Sequence, residues 1–143
     1  MRNYSGAFED RVAVRELYES YADAITRRDA PLWGSCWSAQ GKWQPSDEAY
    51  EGRDVIVDRW IYMMKNESGL KGRNTRLFQN QPAAIMIDGD SGYGWSYTNE
   101  LIVDQQNMTY HLNGLYADRY IREDGHWMFE ERIFKKVHLD HPY

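Results

Sequence analysis

The chain has 143 residues, a length that suits one domain with a hydrophobic core of its own. Hydrophobic residues make up 42% of it and charged residues 27%, which excludes a disordered or low-complexity chain. The formal net charge of −5 argues against nucleic-acid binding, and the single cysteine, Cys36, excludes an internal disulfide and a cysteine-based zinc site. No apolar run is long enough to span a membrane and no signal peptide is visible, so we expect a cytoplasmic protein without membrane partners.

The first half of the chain is predicted to be mainly helical. Apolar residues recur every three or four positions from about Phe8 to Arg28, a pattern typical of an amphipathic helix. Asp29 and Pro31 suit the cap and the first turn of a second, short helix at 32–37. A short strand at 41–44 and a turn at Tyr50-Glu51-Gly52 follow. These elements lead into a third helix, over 53–65, and a polar loop over 66–72.

The second half changes to β-branched, aromatic and alternating segments, which predict long strands joined by turns. The Asp-Gly turns between them favour hairpins. The predicted strands cover 76–87, 93–104, 107–122 and 127–138. Helices that precede strands in this way indicate an α+β fold in one domain, 1–143, with the helices packed on one face of a curved, mostly antiparallel sheet.

Three segments carry a resemblance to a known family: DRVAVRELYESYADAITRRDAPLWGSCWSAQGKW at 10–43, EGRDVI at 51–56 and GLYADRYIREDGHWMFEER at 114–132. In this order they resemble the SnoaL-like branch of the nuclear transport factor 2-like superfamily, over nearly the whole chain. The resemblance implies a cone-shaped α+β barrel whose curved sheet encloses an apolar pocket. Relatives include ketosteroid isomerase, scytalone dehydratase, polyketide cyclases and hexachlorocyclohexane dehydrochlorinase. Most need no cofactor and move protons on small hydrophobic molecules, and the resemblance also implies a homodimer or homotrimer.

Two candidate site residues follow from ketosteroid isomerase. Tyr21 falls where that enzyme has its oxyanion-hole tyrosine, and a buried phenol can donate a hydrogen bond to a developing enolate. Asp118 falls where it holds a neutral aspartic acid. The alternatives are a core aromatic residue for Tyr21, and for Asp118 an ordinary anion that pairs with Arg76 or Arg132.

The Asp–His pair of the dehydrochlorinase and the scytalone dehydratase is missing. Its aspartate aligns with Thr26 and its histidine with Arg76. A threonine cannot hold a histidine in its basic state, and arginine is not a base at neutral pH. Arg76 is instead expected to be a fixed positive charge in the pocket that stabilises an oxyanion, or else to pair with an acidic residue at the rim.

The last strand supplies a further candidate acid and base. Strict alternation places Glu130, Arg132 and Phe134 on one face, and the position of Arg132 lines the pocket in the dehydrochlorinase. If that face points inward, Glu130 has a raised pKa and is the candidate general base. The alternative is a structural Glu130–Arg132 salt bridge at the open end.

The pocket wall is predicted to be aromatic, in keeping with rings that make up 15% of the chain. One face of the third long strand carries Tyr110, Leu112, Gly114 and Tyr116, and Gly114 is expected to leave room for a ligand. The candidate substrate-binding residues are Thr26, Trp43, Tyr110, Leu112, Tyr116 and Phe134. No metal site is predicted, since a terminal His138-x-x-His141 is a weak signal.

The leading hypothesis is a lyase, dehydratase or isomerase that needs no cofactor. It would act by acid–base chemistry on a small hydrophobic substrate, expected to be aromatic or polycyclic. A non-catalytic small-molecule binder and the small subunit of a ring-hydroxylating dioxygenase are the alternatives. Loss of the Asp–His pair suggests a reaction other than simple dehydration.

Overall fold

The computed structural model describes residues 2–66 and 72–140, which form three helices and seven strands. The helices are α1 (Phe8–Arg27), α2 (Ala30–Ser35) and α3 (Arg53–Asn66). The strands are β1 (Tyr4–Ser5), β2 (Trp37–Gln44), β3 (Tyr50–Glu51), β4 (Asn74–Asp88), β5 (Ser91–Val103), β6 (Thr109–Glu123) and β7 (His126–Leu139). None of the described helices has the length and apolar composition that crossing a membrane would require.

One curved sheet holds all seven strands in the order β1-β4-β5-β6-β7-β2-β3. The pairs β1–β4 and β2–β7 are parallel, and the others are antiparallel. Helix α1 packs against β4 and β7, and α3 packs against β2. The predicted α+β fold, with helices against a curved and mostly antiparallel sheet, is confirmed.

The helix boundaries follow from the capping residues. Helix α1 ends where Arg28 adopts a left-handed conformation, with φ of 60°, and its backbone N–H donates to the carbonyls of Ala24 and Ile25. The Asp29 side chain accepts a 3.0 Å hydrogen bond from the backbone N–H of Leu32 and so caps α2, as predicted.

Three short segments differ from their predicted structure. Trp37 begins strand β2 instead of ending the second helix, because the backbone leaves the helix at Cys36, whose carbonyl accepts from the N–H of Phe129 on β7. Tyr50–Glu51, predicted as a turn, pairs with β2. Tyr4–Ser5 pairs with β4, and two residues carry too little periodicity to be predicted as a strand. Most of the loop predicted at 66–72 lies outside the described residues.

Aromatic rings fill the space between helices and sheet. Tyr21 of α1 contacts the rings of Trp33, Trp37 and Phe129 with centroids 5.4–6.2 Å apart, and Trp33 stacks on Trp60 of α3 at 4.8 Å. All five side chains are buried. Much of the aromatic excess therefore belongs to the core that holds the helices in the sheet.

Candidate active site

A buried ion pair lies at the centre of the cone. Asp118 on β6 and Arg132 on β7 are cross-strand partners, and both side chains are 0% exposed. Arg132 Nε donates to Asp118 Oδ1 at 2.7 Å and Nη2 donates to Oδ2 at 3.1 Å. The hydroxyls of Tyr18 and Ser96 donate to the same carboxylate at 2.5 and 2.9 Å. Because Asp118 accepts from every one of these groups, the neutral-donor interpretation is wrong, and its alternative, a pair with Arg132, describes the structure.

Aromatic rings enclose the Arg132 guanidinium. Its Cζ lies 4.0 Å from the ring centroid of Tyr116, 4.2 Å from that of Phe129 and 4.5 Å from that of Tyr21. Burial lowers the pKa of Arg132, but the charge and hydrogen bonds of Asp118, together with the nearby phenols of Tyr21 and Tyr18, outweigh burial and the net direction is upward. Arg132 Nη1 is buried without a hydrogen-bond partner among the described residues. The structure thus brings three predicted residues together: Tyr21, Asp118 and Arg132.

The side chains of Trp43, Tyr116 and Tyr21 form a polar cluster next to the Asp118–Arg132 ion pair. The indole N–H of Trp43 donates to the phenolic oxygen of Tyr116 at 3.2 Å, and the rings of Tyr116 and Tyr21 lie against the same guanidinium. Burial raises the pKa of both phenols. The Arg132 charge and the hydrogen bond from Trp43 act against that rise in Tyr116. Trp43, Tyr116 and Tyr21 therefore place polar groups beside the buried ion pair.

Glu100 is the carboxylate that the sequence reasoning missed. It lies half-buried on β5, between its cross-strand partners Phe78 and Leu112, and accepts a 2.9 Å hydrogen bond from the Thr75 hydroxyl. Burial raises its pKa from 4.5 to about 7, against the lowering effects of Thr75 and the charge of Arg28. A carboxyl group in that range can accept and return protons at physiological pH.

The signal for Glu100 was present in the alternation of β5. Ser96, Thr98 and Ile102 are buried, and Glu100 belongs to the same every-second-residue series. Both faces of this strand carry polar residues, so the sequence alone does not show which face points inward. Thr98, next in the series, has a buried hydroxyl without a hydrogen-bond partner among the described residues.

The predicted position of Arg76 in the pocket is wrong. Thr75 pairs with Ile102 and Leu77 pairs with Leu101, so Arg76 is the extra residue of a β-bulge. The bulge shifts the alternation, and the Arg76 side chain is exposed. Thr26 instead meets β4 at Phe78, whose backbone N–H donates to the Thr26 hydroxyl at 3.1 Å.

The predicted inward position of Glu130 is wrong for the same reason. Phe129 pairs with Tyr120 and Glu131 pairs with Arg119, which leaves Glu130 as the extra residue on β7. Its side chain is exposed, while Arg132 is back on the inner face. Glu130 and Arg132 therefore lie on different sides of the sheet and cannot form the alternative salt bridge either.

Gly114 does not leave the predicted space for a ligand. A Cβ atom at this position would overlap the ring of Phe134, so that ring covers the glycine. Phe134 is half-buried and also packs edge-on against Tyr116, with centroids 5.0 Å apart. The wall of β6 at this point is closed by a side chain from β7.

The other predicted binding residues differ in their burial and in their hydrogen bonds. Trp43 and Tyr116 are buried, and Leu112 is half-buried on the inner series of β6. The Thr26 hydroxyl is engaged with the β4 backbone, and the Tyr110 hydroxyl donates to Asp104 at 2.9 Å. Their roles in binding stay predictions.

Two histidines, His111 on β6 and His138 on β7, meet at one carboxylate. Asp140 contacts His111 Nδ1 at 2.9 Å and His138 Nε2 at 3.0 Å, and His141 lies outside the described residues. Within residues 2–66 and 72–140, no group of three or more potential ligands is arranged to hold a metal ion.

A groove of about 1070 Å³ lies outside the cone, between the helices and the β6–β7 turn. Leu17, Leu32, Val57 and Trp127 contribute to its lining. It contains neither Glu100 nor any of the predicted site residues, so it is separate from the interior polar groups described above.

Comparison with known proteins agrees with this architecture. Residues 6–133 match the model of the SnoaL-like domain. Among curated proteins, none matches the chain. Several solved structures share the fold at low sequence identity. ActVI-ORFA from Streptomyces coelicolor superposes with a TM-score of 0.75 at 17% identity, covering 92% of this chain and 98% of its own.

Two further structures give the same result. A hexachlorocyclohexane dehydrochlorinase, LinA type 2, has a TM-score of 0.73 at 17% identity, with 92% of this chain and 88% of its own covered. A protein of unknown function with a cystatin-like fold from Nostoc punctiforme has a TM-score of 0.73 at 14% identity, with 95% of both chains covered. Because the family model spans most of the sequence, the chain belongs to the SnoaL-like domain family.

Proposed function

We propose that the protein is an enzyme that moves a proton on a small hydrophobic substrate, as a lyase or isomerase, with Glu100 as the general base. The observation that carries the proposal is the half-buried Glu100 on the inner face of β5, with a pKa of about 7. A carboxyl group with a pKa near neutrality can both accept a proton and return it at physiological pH.

The surroundings of Glu100 suit an aromatic substrate. Phe78 and Leu112 flank it on the neighbouring strands, and Tyr116 and Phe134 continue the inner wall. Such walls bind flat apolar molecules, and the few polar atoms fix their orientation. The proposed scheme uses only side chains of this chain.

Solvent deuterium exchange tests the proposal without knowledge of the physiological substrate. The probe is 1-tetralone, a two-ring aromatic ketone with an acidic C–H next to its carbonyl, and mass spectrometry measures deuterium uptake in heavy water. The wild-type protein should accelerate uptake, and Glu100→Gln should reduce the acceleration by about a hundredfold or more. Glu130→Gln is the matched control, because it makes the same change at an exposed glutamate and should behave as the wild type.

Two outcomes would contradict the proposal. Equal rates for Glu100→Gln and the wild type would remove Glu100 as the base. Saturable binding of 1-tetralone without any exchange would favour the alternative of a non-catalytic binder.

A further inference from the structure

The groove outside the cone has the size and the lining of a small-molecule site. Its volume of about 1070 Å³ is close to the upper end of the usual range for such sites, roughly 300–1,000 Å³. Helices α1, α2 and α3 and the β6–β7 turn contribute its lining. Among its apolar residues Leu17 and Trp127 are buried, Leu32 and Val57 are half-buried, and Ile61 is 40% exposed. Part of this apolar surface is therefore open to a ligand.

Small residues on two helices leave the space for the groove. Helix α1 contributes Ala13 and Ser20 to the lining, and α2 contributes Ala30 and Gly34. A Cβ atom at Gly34 would lie 3.1 Å from Cγ2 of Val57, so α2 and α3 already approach each other closely beside the groove. The open space thus results from the size of the residues at these positions.

The β6–β7 turn carries negative charge to the groove. Asp124 has a left-handed φ of 52° and the glycine after it one of 78°, as a tight two-residue hairpin turn requires. The turn is tied to α1, because Arg122 Nη1 and Trp127 Nε1 both donate to Asp10 Oδ1, at 2.8 and 3.1 Å. These bonds fix the turn, and with it the carboxylates of Glu123 and Asp124, against the first helix.

Negative charge is in excess in the groove. Glu16 of α1 joins Glu123 and Asp124 in the lining, and all three side chains are exposed. Within residues 2–66 and 72–140, none of the three carboxylates has an ion-pair partner. The basic residues of the described lining are the exposed His126 and Arg53, whose Nε donates to a backbone carbonyl of β2 at 2.8 Å. Three carboxylates stand against one guanidinium, so the field in the groove favours a cation.

We infer that the groove is a second small-molecule site, and that its ligand is an organic cation with an apolar body, such as an aryl-alkyl ammonium ion. The apolar body lies against Val57 and Ile61, where it removes exposed apolar surface from water. The ammonium group lies near the three carboxylates, which have no other cation to neutralise them. The lining does not include Glu100, so the inference does not depend on the proposed function.

Calorimetric titration with three probes tests the preference for a cation. The probes 4-phenylbutylamine, 4-phenylbutan-1-ol and 4-phenylbutyrate share one apolar body and carry a positive, a neutral and a negative group at neutral pH. The amine should bind most tightly and the carboxylate most weakly. An increase in sodium chloride from about 20 to about 300 mM should weaken amine binding severalfold and leave alcohol binding unchanged, because salt screens exposed charges.

Substitutions in the lining test where the amine binds. The double variant Glu16→Gln/Glu123→Gln should weaken amine binding about tenfold or more and leave alcohol binding unchanged. Ile61→Lys should weaken amine binding by a similar factor, because it places a positive charge beside the ammonium group. Glu19→Gln on α1 and Val55→Lys on α3 are the matched controls, since they make the same changes at exposed residues outside the lining. Both should bind the amine as the wild type does.

Several results would overturn the inference. Equal affinities for the three probes, or no binding of the amine, would remove the preference for a cation. Wild-type affinity for the amine in both groove variants would place the ligand elsewhere, and a loss of affinity in Glu100→Gln would place it inside the cone. Self-association in sedimentation experiments that Ile61→Lys abolishes would assign the groove to a second copy of the chain.

Discussion

The hydroxyl of Thr75 on β4 donates a 2.9 Å hydrogen bond to the carboxylate of Glu100 on β5. This bond stabilises the ionised form and opposes the rise in pKa that burial causes. Thr75→Val keeps the shape and removes the donor, so the pKa of Glu100 should rise above its value of about 7, on the order of one unit. The pH dependence of deuterium exchange should shift to higher pH accordingly, with full activity recovered at alkaline pH.

Thr98→Val is the control for this shift. Thr98 lies on the same face of β5 as Glu100, but its buried hydroxyl has no hydrogen-bond partner among the described residues. The same change of side chain there should leave the pH profile in place. Superimposable profiles for Thr75→Val and the wild type would show that the hydrogen bond does not tune the base.

Glu100 should also make the stability of the protein depend on pH. Its pKa is about 7 in the folded state and 4.5 in an unperturbed chain, so the folded state binds more protons between these values. The free energy of unfolding should therefore fall as pH rises from 4.5 to about 7, and level off above that range. Glu100→Gln removes this penalty and should be more stable than the wild type at pH 8 by about 1–3 kcal/mol.

Urea unfolding at pH 4 and pH 8 measures the effect. The difference in the free energy of unfolding between Glu100→Gln and the wild type should be larger at pH 8 than at pH 4. Glu130→Gln, at an exposed position, should show no such dependence on pH. A pH-independent difference for Glu100→Gln would mean that the carboxyl group is solvated in the folded protein. The expected gain in stability, set against a loss of activity, is typical of a site where function costs stability.

The candidate site divides into a part that the sequence predicts and a part that it does not. Alternation along β6 correctly places Tyr116 and Asp118 inside, because β6 runs without a break between those residues. The same reasoning fails for Arg76 and Glu130, because each is the extra residue of a bulge and strict alternation ceases there. A bulge depends on pairing with a distant strand, so the local sequence carries little signal of it. The helices were predictable because their periodicity and caps are local.

Replacement of Arg28 by methionine should change the pH profile of exchange, whereas the same replacement of Arg76 should not. The Arg28 charge lowers the pKa of Glu100, whereas Arg76 points away from the interior. Arg76→Met should leave the exchange rate and its pH profile unchanged. Arg28→Met should shift the profile to higher pH, because a favourable charge near the carboxylate is lost. A loss of activity confined to Arg76→Met would restore Arg76 as a pocket residue.

The Asp118–Arg132 pair should behave as a unit in stability measurements. Removal of one partner leaves the other charge buried and uncompensated, so Arg132→Met and Asp118→Leu should each cost about 3–5 kcal/mol. The double variant removes both charges, and its loss should be clearly smaller than the sum of the two. Urea unfolding of the four proteins gives the coupling free energy, and additive losses would contradict a mutually compensating pair.

Substitutions at Gly114 and Phe134 should also be coupled in their effect on stability, here through steric overlap and not through charge. Gly114 has an ordinary strand conformation, and alanine in a strand is favoured over glycine by about 0.5–1 kcal/mol where space allows. Here the new Cβ would overlap the Phe134 ring, so Gly114→Ala should instead destabilise the protein by about 1–3 kcal/mol. In a Phe134→Ala background the obstacle is gone, and the same Gly114→Ala change should become neutral or stabilising. Urea unfolding of the two single variants and the double variant measures this reversal. An equal cost of Gly114→Ala in both backgrounds would show that the Phe134 ring does not occupy the space over Gly114.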